Sequence, residues 1–213
     1  MSFWPEFFLI AVVHFMAVAS PGPDFAIVLR YAVRFGRTQA LAASIGIGVA
    51  ILLHVTWSLV GIAVLIQTTP WLFKVLSFAG AAYLLYIGVM ALRAKAPPSS
   101  SQQNAVEDLP SENTPGRLKA FIAGFVTNGL NPKATLFFLS LFAVIISAQT
   151  PMSYKVIYGL YMAVATAAWF CMLSVVLTQT RIRAFLLQKG FWFDRIMGLL
   201  LMLLAAHLIY SSI

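Results

Sequence analysis

Charged side chains interrupt this chain so seldom that the intervals between them define its elements. Uncharged runs cover 7–23, 38–73, 75–92, 134–154, 156–180 and 196–213, and apolar residues dominate each of them. A helix crossing the hydrocarbon of a bilayer needs about 20 such residues. The pattern therefore predicts six membrane-spanning helices, near 5–33, 41–66, 72–93, 119–147, 154–178 and 192–211, with proline breaks in the first and fourth. Residues 1–10 contain Glu6 and no Lys or Arg. A signal peptide wants a positive leading region, so the first segment is expected to stay as a span.

Composition agrees with that reading. Of 213 residues, 61% are hydrophobic and 9% charged, with a mean hydropathy of +0.90; soluble domains run near 45–50% and 25%. Too few charges remain to coat an aqueous exterior, which excludes a soluble globular enzyme. A net charge of +8 would suit a nucleic-acid binder, but the placement of these charges between the spans makes it a signal of membrane topology instead. Eleven of the fourteen basic residues fall between spans 1 and 2 (Arg30, Arg34, Arg37), 3 and 4 (Arg93, Lys95, Arg117, Lys119), and 5 and 6 (Arg181, Arg183, Lys189, Arg195). Loops rich in Lys and Arg face the cytoplasm, so both termini are expected outside. A second arrangement of 24–37 stays open, in which Arg30, Arg34 and Arg37 share one helical face and the segment lies along the cytoplasmic surface. The single cysteine, Cys171, cannot form an internal disulfide, a CxxC pair or a thiolate cluster.

Residues 96–116 are unlike the rest: Pro97 and Pro98, a serine and glutamine run, then Glu107, Asp108 and Glu112. This is expected to be a flexible cytoplasmic linker. It divides the chain into 1–95 and 117–213, each a three-helix unit. Each unit opens with a proline motif, Ser20-Pro21-Gly22-Pro23-Asp24 or Asn128-Gly129-Leu130-Asn131-Pro132-Lys133, and then carries one central tryptophan, Trp57 or Trp169. An odd number of crossings reverses orientation, so the halves are expected to be inverted repeats, an arrangement of secondary transporters. The fold class is thus an all-α integral membrane protein of two inverted three-helix repeats, the first helix of each broken at proline.

Broken backbone at membrane depth is tolerated where protein or a water-filled cavity satisfies the freed groups. Matched breaks in two halves are the best pointer in a sequence to a substrate site. Pro21, Gly22, Pro23, Asp24, Pro132 and Lys133 are therefore candidate substrate-binding residues. A charge at a helix centre costs about 2.5–3.5 kcal/mol on insertion scales, and Asp24 and Lys133 each follow a proline at the start of a half-helix. The helix dipole favours Asp24 there and opposes Lys133, which needs a specific partner. Either the two pair, or they hold opposite ends of a zwitterion. His54, one turn before Trp57, is a candidate proton relay or a hydrogen-bonded core histidine. Trp57, Trp169 and Tyr86 are expected to line a cavity, and His14 and His207 to pack or sit at the interface. Gly46, Gly48 and Gly80 are expected to allow close helix contact. No enzyme motif occurs, and no cofactor or metal is expected.

Ser20 to Asp24, then Ala79-Gly80-Ala81-Ala82-Tyr83-Leu84 with Gly88, then Asn128 to Ala134, recur in order over nearly the whole chain and resemble the LysE/RhtB family. Members of that family are bacterial inner-membrane exporters of amino acids, and the closest look is to the threonine/homoserine branch. The resemblance implies a multi-pass protein of the inner (plasma) membrane that expels a small amino acid, driven by the proton gradient. On that reading the halves alternate access around the two breaks. Asp24 or His54 carries the coupling proton, and Asn128 and Asn131 join Lys133 in binding substrate. The partners implied are the amino acid, protons and lipid, with no nucleic acid and with a homodimer left open. An exporter of another small solute or a metal ion, a channel, and a redox carrier are the alternatives. A metal exporter wants several intramembrane ligands and a redox carrier wants a cysteine pair.

Overall fold

A computed structural model describes residues 3–20, 22–93, 114–146 and 149–179, with ten helical positions between 191 and 206. Pro21, residues 94–113 of the connection (and with them Lys95), the basic residues Arg181, Arg183 and Lys189, His207, both termini and the remainder of the 192–211 span lie outside the described residues.

The described elements are helices: α1 (Phe3–Ala19), α2 (Pro23–Arg34), α3 (Arg37–Thr68), α4 (Pro70–Leu92), α5 (Arg117–Gly129), α6 (Pro132–Val144) and α7 (Met152–Leu177). Among them, Arg37–Gly61 and Met152–Leu177 are each long and apolar enough to cross a membrane. α1 and α2 meet at a bend of 56° and make a third such span if taken as one. Each uncharged run from 5 to 178 carries a helix, and the helices break at 20–22 and at 130–131, as the two proline motifs predict.

Both half-helices begin in the same way. Pro23 and Pro132 stand in the first turn of α2 and α6, where the missing N–H would have had no helical partner. The opening proline of α2 is thus Pro23, two residues beyond Pro21. Asp24 and Lys133 consequently hold the same position in the two half-helices. Gly36, at a φ of 86°, turns the chain from α2 into α3, a backbone region costly for residues with a Cβ.

α3 is the central helix and touches α2, α4, α5, α6 and α7, most extensively α5 and α7. Its approach to α5 is main chain against main chain. A Cβ on Gly46 would run into the carbonyl oxygen of Phe121, and one on Gly124 into that of Ala43. Gly48 admits Ala163 and Ala167 of α7, Gly80 admits Ser140 of α6, and Gly88 of α4 lies against Gly198. In α2, Val28 and Ala32 are buried while Arg30 is exposed. Large apolar side chains cover the outside, among them Phe8, Val12 and Phe15 on α1 and Ile45, Val49, Leu52 and Val60 on α3. That surface suits hydrocarbon rather than water.

Candidate functional site

The two breaks face each other. The side-chain amides of Asn128, at the end of α5, and Asn131, between α5 and α6, both donate to Oδ2 of Asp24, at 3.0 and 3.3 Å. Asn131 also caps α6, its Oδ1 accepting the backbone N–H of Lys133 at 3.0 Å. The Lys133 ammonium donates to the carbonyl of Ser20 at 3.2 Å. Ser20 directly follows α1, so the cation sits at a helix C-terminus, where the dipole favours it. This resolves the conflict that its own helix N-terminus creates. Tyr83 of α4 donates to the Lys133 carbonyl at 3.2 Å.

These residues surround a cavity with about 450 Å³ of empty volume, including the part open to solvent. Ser20, Gly22, Asp24, Asn128, Asn131, Lys133 and Thr166 supply its polar lining; Ile51, Phe137, Phe138 and Phe170 are prominent in the apolar remainder. Two buried acceptors there, Asp24 Oδ1 and Asn128 Oδ1, have no hydrogen-bond partner among the described residues. A buried polar atom left without a partner costs about 1–3 kcal/mol. The cavity therefore offers unfilled acceptor capacity for a donor-rich group, close to a cation that can meet an anion.

His54 is buried beside the α5–α6 break and stacks on Phe138, ring centroids 5.7 Å apart. Its Nε2 lies 3.0 Å from the Asn128 carbonyl. A carbonyl can only accept, so that nitrogen carries the proton. Nδ1 is 3.5 Å from Thr135 Oγ1, which also lies 3.2 Å from the carbonyl of Asn131.

Of the candidates from sequence, Gly22, Asp24, Asn128, Asn131 and Lys133 come together at this cavity, with Pro23 and Pro132 opening the half-helices beside it. Pro21 lies outside the described residues. The aromatic side chains expected to line a cavity do not line this one. Trp57 is 59% exposed; three residues from His54 leaves it about 60° away around the helix, on the outer flank of α3. Tyr86 is also 59% exposed and shares the outward stripe of Phe78, Ala82 and Met90. Trp169 packs edge-on against Phe15 of α1, centroids 5.1 Å apart. Thr135 and Thr166 are contributors that the sequence did not single out, and Tyr83, quoted only within its motif, adds its hydroxyl. Each acts through a partner distant along the chain or a contact between helices, and an isolated Thr or Tyr in an apolar run carries no signal of that.

Comparison with known proteins gives a consistent picture. The family profile described as "LysE type translocator" matches residues 15–212. The "Threonine efflux protein" of Salmonella typhi is 28% identical over 207 residues, covering 96% of this chain and 98% of the relative. That of Escherichia coli K12 is 28% identical over 208 residues with the same coverage. An "Uncharacterized membrane protein" of Haemophilus influenzae is 25% identical over 202 residues, 95% of each chain. No solved structure matches.

Proposed function

This chain belongs to the LysE type translocators, and from that premise we propose that it exports a small threonine-like or homoserine-like amino acid from the bacterial cytoplasm across the inner membrane. The observation that carries the reading is a pair of acceptors, Asp24 Oδ1 and Asn128 Oδ1, without a partner among the described residues, in the cavity that Lys133 also lines. An amino-acid ammonium brings three N–H donors for the first two groups. Its carboxylate is matched in charge by Lys133, whose ammonium lines the same cavity. The names of the relatives support an amino-acid substrate, and relatives that are transporters favour transport over catalysis.

The transport cycle we infer is proton antiport, with the inverted halves 1–95 and 117–213 exposing the cavity alternately to either side. The matched placement of Asp24 and Lys133 in two half-helices supports it. His54 is built to couple to the breaks. The Thr135 hydroxyl has one proton and two acceptors in reach, Asn131 O and His54 Nδ1. Protonating Nδ1 turns it into a donor and commits the hydroxyl to Asn131, so the charge on His54 is felt at the loop that holds Asp24.

The test is amino-acid efflux from vesicles at matched protein levels. Asp24→Asn and Lys133→Ala are each expected to lower export about tenfold or more, the scale of a lost hydrogen bond to a charged group. If export and its dependence on the proton gradient survive both substitutions, the assignment of the site fails.

A further inference from the structure

The Asp24 cluster accounts for the polar groups that α2, α5 and α6 bring to the cavity, but not for the one that α7 brings. Thr166 is 1% exposed and lines the cavity. Its Oγ1 is hydrogen-bonded to Nε2 of His14 on α1 at 3.0 Å. His14 is itself buried, its ring 6.1–6.5 Å from those of Phe137, Phe138 and Tyr161. A histidine enclosed by aromatic rings and tied to one hydroxyl fixes where that hydroxyl points. A hydroxyl has one donor and two acceptor lone pairs. His14 uses one of these in either tautomer, which leaves hydrogen-bonding capacity on Thr166 for an occupant. Apart from the breaks and Thr166, the lining is apolar: Ala17, Val18, Ile51, Phe137, Phe138 and Phe170 among others.

We propose that Thr166, held in place by His14, reads a hydroxyl on the side chain of the transported amino acid. The cavity then prefers small hydroxylated amino acids over aliphatic ones of the same shape. The inference rests on the Asp24, Asn128 and Lys133 group seating the α-ammonium and α-carboxylate. An apolar pocket alone discriminates poorly between a methyl and a hydroxyl, whereas a site with a hydroxyl to be satisfied rejects the analogue that leaves it unpaired. Thr166 is the specificity-determining contact and His14 a positioning residue.

Threonine and valine differ by this one exchange of hydroxyl for methyl, and they are the probes. The purified full chain in proteoliposomes gives kcat/KM for each, and the threonine-to-valine ratio within one protein is independent of how much of it is active. The wild type is expected to favour threonine. Thr166→Val and Thr166→Ala are expected to lower the ratio about tenfold, and Thr166→Ser to restore it. His14→Phe is expected to lower it by a smaller factor, because Thr166 keeps its hydroxyl but loses its orientation. A ratio that stays within twofold of wild type in both hydroxyl-free variants overturns the proposal, as does equal loss of both substrates, which marks a packing role. A wild type that moves no amino acid sinks the transport reading itself. Transport with an unchanged ratio sinks only the role given to Thr166.

Discussion

Asn131 holds two groups with one side-chain amide, its Oδ1 capping α6 and its Nδ2 donating to Asp24. The two functions separate on substitution. Asn131→Ala removes both and is expected to cost about 1 kcal/mol from the cap, besides the donor to Asp24. Asn131→Asp keeps a good cap but turns a donor toward Asp24 into a second carboxylate. It is expected to melt near the wild-type temperature in detergent yet export poorly; export at the wild-type rate would show that Asp24 does not need this amide. His54 invites a second separation. In His54→Phe the ring that stacks on Phe138 is kept and both nitrogens go, while Asn128 O retains the backbone N–H of Asn131 at 2.9 Å. Exchange of labelled for unlabelled amino acid is expected to continue, with uphill export in a pH gradient lost; equal effects on both would remove His54 from proton coupling. At this scale the sequence speaks through local chemistry. Proline acts on its own turn, so Asp24 and Lys133 could be placed at half-helix starts from spacing alone. Lys133 reaching Ser20, or Thr166 reaching His14, joins residues more than a hundred positions apart and is set by packing.

Helix existence followed from the uncharged runs, because in hydrocarbon a single segment has few other ways to satisfy its backbone. Which helices touch was legible only where glycine marks a close approach. Gly46, flagged for that reason, meets α5, and its counterpart there is Gly124. Which aromatic side chain faces inward was not legible, since an apolar run surrounded by lipid and protein has no polar face to fix its rotation; Trp57 and Tyr86 lie outside for this reason. Gly124→Ala is expected to destabilise the protein by about 1–3 kcal/mol or more, because the new methyl meets a carbonyl and not a flexible side chain. Gly61→Ala, in the same helix as Gly46 but with nothing within 4 Å of the added carbon, is expected to be neutral or slightly stabilising. Thermal unfolding in detergent compares them, and a neutral Gly124→Ala would contradict the contact between α3 and α5.

For the whole molecule, the distribution of Arg and Lys predicts which end faces the cytoplasm, and single-cysteine labelling reads it directly. With Cys171 replaced by Ser, the exposed positions Thr38 and Ser153 become probes as Thr38→Cys and Ser153→Cys. An impermeant maleimide is expected to reach position 153 in intact spheroplasts and position 38 only after permeabilisation; the reverse pattern would invert the proposed orientation. The seam between α3 and α5 bears on how such a molecule can move. It joins a helix from before the linker to one from after it, with carbonyl against α-carbon at two places. Side chains can slide past one another by changing rotamer, but bare backbone has nothing to rotate. In the proposed cycle the seam serves as an axle, shared by both halves and stiff along its length. Rotation about it falls to the two places where helical hydrogen bonding is already interrupted, 20–22 and 130–131. On that cycle the pivots and the walls of the cavity are the same few residues, so an occupant that bridges them also stiffens the joints.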